Sequence, residues 1–282
     1  MYSEINLDLQ SFAKRVYDSI LYQSTFYKFL NTAYIGELRQ TEAPVIEIGK
    51  TTPVSVNVRA TKEIQNRLNP ALTTYKHTMV DLTELNMDYS IRVPLMVTGS
   101  DITNAIQDAA DLEDSAIAKQ IDTYGYGKLA AASMGEFEWD PTTQADYIEL
   151  LTTLKATLFN KDIYSDYRLG LGAIEYAKLV AALTSVLKFE TLAGREGVDM
   201  GEVGRAYGVD AIFPINDAML TDIKGYFFNP IAVVGDTFFS AFVQHNSPQG
   251  YPGYYVLEGT QSFGAAVVRP EAIIRLVEEI SA

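Results

Sequence analysis

The sequence predicts an α+β protein built from an extended two-stranded β-ribbon, one long amphipathic helix and a mixed α/β section. Three observations carry that prediction. Apolar residues alternate with polar ones over Val54–Val58 and again, without a miss, from Glu84 to Val93, which is the period of a strand with one wet face. From Ile102 to Tyr124 the apolar positions return every three to four residues, the period of a helix. After Asp140 short apolar runs alternate with helical patterns, as a sheet covered by helices requires.

Taken in order, Leu9 to Leu30 carries Phe12, Val16, Ile20 and Phe26–Tyr27–Leu30 at helical spacing, and Asn31 and Gly36 supply stop signals. Val45, Ile46 and Ile48 lead into a Gly49–Pro53 turn cluster, followed by Val54, Val56 and Val58. Thr61–Leu72 is polar and reads as a loop tip. Leu85, Met87, Tyr89, Ile91 and Val93 then form the clearest strand, extending roughly 33 Å at ~3.3 Å per residue. A ribbon of two such strands is marginal alone in water, so something must cover it, and a neighbouring subunit is the natural candidate.

Thr98 and Ser100 suit a helix N-cap, with Asp101 where the helix dipole favours a carboxylate. A helix from Ser100 to Tyr124 is roughly 37 Å long at ~1.5 Å per residue, and Gly125 and Gly127 are expected to bend or loosen it. Beyond a break at Gly135–Thr143, helices are predicted over Ala145–Phe159, Ala173–Leu183 and Asp217–Asp222. Strands are predicted over Tyr167–Leu171, Ala211–Ile215, Tyr226–Phe228 and Ile231–Val234. Tyr254–Leu257 and Phe263–Val268 read as a final strand pair.

Composition narrows the function. Of 282 residues, 48% are hydrophobic and 21% charged, the balance of a folded protein. No run approaches the ~18 apolar residues of a membrane span, and the opening residues lack a secretory-signal pattern, so a soluble protein made in the cytosol is expected. There is no cysteine, which removes disulfides, thiolate nucleophiles and cysteine metal sites. Only His77 and His245 could supply imidazole, far apart in sequence, so neither a metal nor any other cofactor is expected. The net charge of −14 opposes adhesion to phosphate backbones.

Motifs for catalysis fail in context. Gly201, Gly204 and Gly208 match neither a dinucleotide fingerprint nor a P-loop, and read as a surface loop. Ser247, His245 and Asp236 lack a nucleophile elbow. The carboxylate pairs Glu113–Asp114 and Glu278–Glu279 read as solvated helix faces. No enzyme is expected. The dense aromatic clusters, with 18 tyrosines, suit either a core or a large subunit interface.

The order of elements, with the strut helix ending Ile121-Asp122-Thr123-Tyr124-Gly125-Tyr126-Gly127, resembles the HK97-type major capsid fold of tailed bacteriophages. So do the stretches Gly204–Pro214, Phe228–Asp236 and Gly259–Ala272. The resemblance implies an N-terminal arm (1–42), an extended hairpin or E-loop with its leading strand (43–97), a peripheral domain with a spine helix (98–140 and 255–282), and an α/β axial domain (141–254). It implies pentamers and hexamers closing into an icosahedral virion shell, assembled in the host cytoplasm around double-stranded DNA, without sequence-specific binding or a membrane. It further implies a portal, and a separate scaffolding protein or a chain already trimmed. Each hairpin is expected to lie over an adjacent subunit, burying Leu85, Met87 and Ile91. Ion pairs from Arg59, Lys62, Glu63 and Arg67 are expected to set the register. Lys50, Lys62 and Lys76 match no lysine–asparagine–glutamate crosslinking set. An encapsulin-like nanocompartment and a phage tail or neck component are the alternatives.

Overall fold

The computed structural model describes residues 8–31, 33, 45–51, 75–94, 100–183, 208–239, 242–246 and 248–278. Helix α1 (Leu9–Gln23) starts where Asp8 accepts the backbone N–H groups of Gln10 and Ser11 at 3.2 and 3.4 Å, a side-chain N-cap. Its apolar stripe of Phe12, Ala13, Val16, Tyr17 and Ile20 is buried. The 3₁₀ turn Phe26–Phe29 follows and is buried with it. Residues 9–30, which fall in the expected N-terminal arm (1–42), pack into the main core. A helix stripe followed by three aromatic rings is too apolar to leave in water, where each such side chain forgoes about 2 kcal/mol of burial.

Helix α2 (Ser100–Ala131) is 32 residues long, about 48 Å. It continues as helix through Gly125 and Gly127. The first glycine makes room for the Phe26 ring, which occupies the space a Cβ would need, so it serves close packing. Ser100 is the first helical residue, and Thr98 lies outside the described residues.

Asp122 fixes the end of α1 to α2. Its carboxylate accepts the Ser24 hydroxyl at 2.6 Å, the Thr25 hydroxyl at 2.9 Å, and the backbone N–H groups of Thr25 and Phe26 at 3.2 and 2.9 Å. Burial raises its pKa despite those four donors. Asp122→Ala strands two backbone donors in a half-buried site and is expected to cost about 3 kcal/mol, read as a lower urea midpoint at unchanged slope.

Strand β1 (Val45–Thr51) and strand β2 (Tyr75–Asp81) pair antiparallel as a separate ribbon, with Val45 opposite Asp81 and Thr51 opposite Tyr75. The predicted strand Val54–Val58 and tip Thr61–Leu72 lie outside the described residues. Strand β3 (Leu85–Pro94) was expected to be the second strand of the ribbon. It pairs instead with β10 (Tyr254–Val267) in the body, Leu85 opposite Phe263 and Pro94 opposite Tyr254. The return strand is β2, joined to β3 by a tight turn at 82–84.

The central strand β10 also carries β8 (Val233–Phe239) and β9 (Val243–Asn246) along its other edge. It is one continuous strand where two were predicted. Gly259 at its middle does not turn the chain; the Phe242 ring fills the place of its missing side chain.

The second sheet runs β4 (Gly135–Glu138), β11 (Ile273–Val277), β7 (Gly225–Phe228), β5 (Arg168–Gly172), β6 (Ala211–Ile215). Its outer pairs are parallel and its inner pairs antiparallel. Strands β4 and β11, expected in the peripheral part, thus close the sheet of the α/β section. Helix α3 (Gln144–Phe159) opens with a Thr143–Asp146 capping box, which draws Asp146 down to about 2 through the Thr143 and Thr142 donors. Helix α4 (Ala173–Leu183) follows β5 directly. Predicted Asp217–Asp222 is a 3₁₀ turn at Asp217–Met219, and predicted Ile231–Val234 starts two residues later as β8.

Both faces of the second sheet are covered, so β7 is buried at every position, as an uninterrupted apolar strand should be. Tyr226, Phe228 and Ile273 face one core with α1, α2 and β3. Phe227, Ile274 and Leu276 face the other, with Trp139, Leu151, Leu154 and Leu171. Phe29 sits where the elements meet, stacked on Phe228 at 3.9 Å between centroids and edge-on to Phe213, Tyr126 and Tyr226 at 5.7–5.8 Å. Most of the aromatic clusters therefore serve the core, with Tyr22, Tyr164, Tyr251 and Tyr254 left exposed.

Asp114 is fully buried, which corrects its reading as part of a solvated face. The stripe that buries Ala110, Ile117 and Ile121 of α2 passes through position 114, so the helical period carries it inward.

Candidate assembly surfaces

The ribbon is attached to the body at its base. Ile46 and Val80 lie opposite each other and, with Leu82, pack on Val234, Phe238, Ala266 and Val268 of the first sheet's outer side. Gly264 of β10 lets the backbone of Asp81 and Leu82 descend onto the sheet: a Cβ there would overlap the Asp81 carbonyl. Asp81 holds the turn by accepting the Thr83 N–H at 2.8 Å and its hydroxyl at 2.7 Å, bonds that lower its pKa. Glu84 ties the turn to α2, accepting from both Lys128 and Tyr124 and titrating lower for it. Met79, beside Val80 on the opposite face, is 71% exposed. Seven paired residues per strand give the ribbon a length of about 23 Å.

Of the predicted contact residues, Arg59, Lys62, Glu63 and Arg67 lie outside the described residues. The other three come together, but on the inner side of β3. Ile91 is 2% exposed within the main core, and Leu85 and Met87 pack partly against that same core. Ile91 is thus covered by its own chain, while Leu85 and Met87 keep part of their surface exposed. Period two reveals that a strand has a dry face, and here the chain's own α1 and α2 cover it.

The polar side of β3 forms a surface that the sequence reading passed over. Asp88, Ser90 and Arg92 of β3, Glu258 and Thr260 of β10, and Val243 and His245 of β9 line an open groove of about 550 Å³ on the outer face of the sheet. Cross-strand register explains the set: Ser90 and Val243 flank Glu258, while Arg92 and His245 flank Val256. Arg92 lies over the Tyr251 ring at 4.3 Å. The signal was present as Asp88 and Arg92 on one face of the strand, but their cross-strand partners Thr260 and Val256 are 172 and 164 residues away in sequence, so no local pattern joins them.

No group of three or more His, Asp or Glu side chains among the described residues is placed to hold a metal ion. No described helix is long and apolar enough to cross a membrane.

No protein-family model and no curated protein sequence matches the chain. Solved structures do. The capsid of the cyanophage P-SCSP1u superposes with a TM-score of 0.59 at 14% identity, over 92% of this chain and 89% of that one. The capsid of Ralstonia phage GP4 gives 0.60 at 8% identity, over 100% and 96%. A virus-like particle from Pyrococcus furiosus gives 0.55 at 10% identity, over 95% and 98%. The chain thus has the fold of viral and virus-like shells. Within that class it is the α+β HK97-like fold of phage capsid structures, with the ribbon, the long helix and the two sheets in the order described above.

Proposed function

We propose that this chain is the major capsid protein of a tailed bacteriophage, a structural subunit that closes into an icosahedral virion shell of pentamers and hexamers around double-stranded DNA. The observation that carries the reading is the ribbon: a two-stranded β-structure about 23 Å long, whose base packs on its own molecule through Ile46, Val80 and Leu82 while Met79 beside them is exposed. Such a ribbon gains stability by lying on another subunit. Its connecting segment 52–74, with Arg59, Lys62, Glu63 and Arg67, brings mixed charge to a groove that displays Asp88 and Glu258 beside Arg92 and His245. Pairing of that kind sets register more than affinity. A net charge of −14 keeps the wall from adhering to packaged DNA. A scaffolding protein and a portal complete the set of partners.

Expression of the chain with its companion genes, viewed by negative-stain electron microscopy, is expected to give closed shells. Replacing residues 52–74 by a short glycine turn is expected to leave folded subunits and no closed shells. Monomers only, from the unmodified chain with its companions, would sink the proposal. A second reading, a nanocompartment shell housing an enzyme, is favoured by the virus-like particle among the matching structures. Nucleic acid within shells purified from infected cells supports the phage reading, and a protein cargo supports the other.

A further inference from the structure

Three elements converge on Asp114. Its carboxyl is fully buried where α1, α2 and β3 meet. One oxygen accepts the Tyr89 hydroxyl of β3 at 3.3 Å, and Ser19 of α1 is the other side-chain hydrogen-bonding neighbour of the carboxyl. Arg15 and Ser19 face it from α1, and Asp111 and Glu113 lie beside it on α2. The arginine's Nη1 pairs with Asp111 at 3.3 Å while its Nε and Nη2 make no hydrogen bond, so the nearest cation is shared between two acids. A fully buried carboxylate with few donors and acidic neighbours is favoured in its neutral form.

The far end of α1 is pinned differently. Ser24, Thr25 and Phe26 place four donors on Asp122, two of them backbone N–H groups. This end is a fixed pivot, and the Asp114 end is the part that a single charge can loosen.

We propose that Asp114 is a proton-operated latch that seats α1 on α2 and β3 when protonated and loosens the helix about the Ser24–Phe26 pivot when ionised. The inference rests on the fold and is independent of the shell reading. Burial pushes the Asp114 carboxyl up to about 6, with Ser19, Arg15 and Tyr89 opposing the shift. An acid whose folded pKa exceeds its unfolded value, near 3.9, binds more protons when seated. The seated form therefore loses ground as pH rises between about 4 and 6, and the loss is complete above that window. The two values imply about a 25-fold greater open population at pH 7.5 than at pH 4.5.

Hydrogen exchange on the full chain tests this. Protection factors for the amides of residues 12–20 are expected to fall about 25-fold from pH 4.5 to 7.5, while those of α3 and β5 change little. Asp114→Asn, neutral at every pH, is expected to hold α1 at its acid-form protection throughout. Equal protection of α1 at both pH values, or an Asn variant that keeps the wild-type response, overturns the proposal. Should that variant not fold, titration of the Asp114 carboxyl carbon by NMR in the wild-type chain decides: a midpoint near 6 supports the latch, and one below about 5 overturns it.

Discussion

Phe29→Ala is expected to destabilise the fold by about 4 kcal/mol, lowering the melting temperature by about 8 °C at about 2 °C per kcal/mol for a chain of this size. Phe29 is fully buried and meets five other rings, Phe26 of its own turn and four drawn from α2, β6 and β7. Truncation removes its transfer free energy and leaves a cavity bounded by Phe228, Phe213, Tyr126 and Tyr226. Those rings sit on three different elements, so no single movement can close the space. Phe29→Leu, which keeps most of the volume, is expected to cost less than half as much. Phe159→Ala, at a 54% exposed ring, is the control and should lie within about 0.5 kcal/mol of wild type. Urea denaturation followed by far-UV circular dichroism measures all three. A Phe29→Ala effect no larger than the Phe159→Ala effect would remove Phe29 from the centre of the core.

The contrast between those two phenylalanines shows what the sequence could and could not disclose. Helix α4 and strand β6 were legible to the residue because their patterns stand between clear breaks. Strand β3 was legible as a strand, yet its partner was not: alternation says that Tyr89, Ile91 and Val93 are dry and is silent on which molecule keeps them so. Strand β2 escaped because Lys76, His77 and Thr78 interrupt its apolar residues, and cross-strand pairing with β1 does what local pattern does not. Gly259 lies between the two predicted strands Tyr254–Leu257 and Phe263–Val268 and is a seat for Phe242 within one continuous strand. Gly125 looked like a bend and is a seat for Phe26. A glycine that permits a turn and a glycine that admits a neighbour's ring are the same letter, and only the tertiary contact separates them. The buried acids Asp114, Asp122 and Asp236 were illegible for a related reason. Their side-chain partners lie between 25 and 219 residues away in the chain.

Gly264→Val is expected to abolish closed shells while leaving the subunit folded. The new side chain would meet the carbonyl of Asp81 and the Cα of Leu82. These are backbone atoms, unable to swing aside as a side-chain tip could. The ribbon base must then lift, and Ile46, Val80 and Leu82 come off Val234, Phe238, Ala266 and Val268. Three buried apolar side chains at about 2 kcal/mol each are what hold the base down, so a displacement that breaks their contacts frees the ribbon from its fixed direction. The two main cores share no residue with this small cluster, so the body should retain its cooperative unfolding with a melting temperature within a few degrees of wild type. Gly250→Val is the matched control, since a Cβ there meets nothing within 4 Å. Ile46→Ala with Val80→Ala should reproduce the assembly defect by removing the same contacts without any clash. Shell yield by sedimentation and electron microscopy, set beside circular dichroism of the unassembled fraction, separates loss of aim from loss of fold. A Gly264→Val chain that still closes into shells at wild-type yield would mean that the ribbon's direction does not govern assembly, and the container reading would lose its principal support.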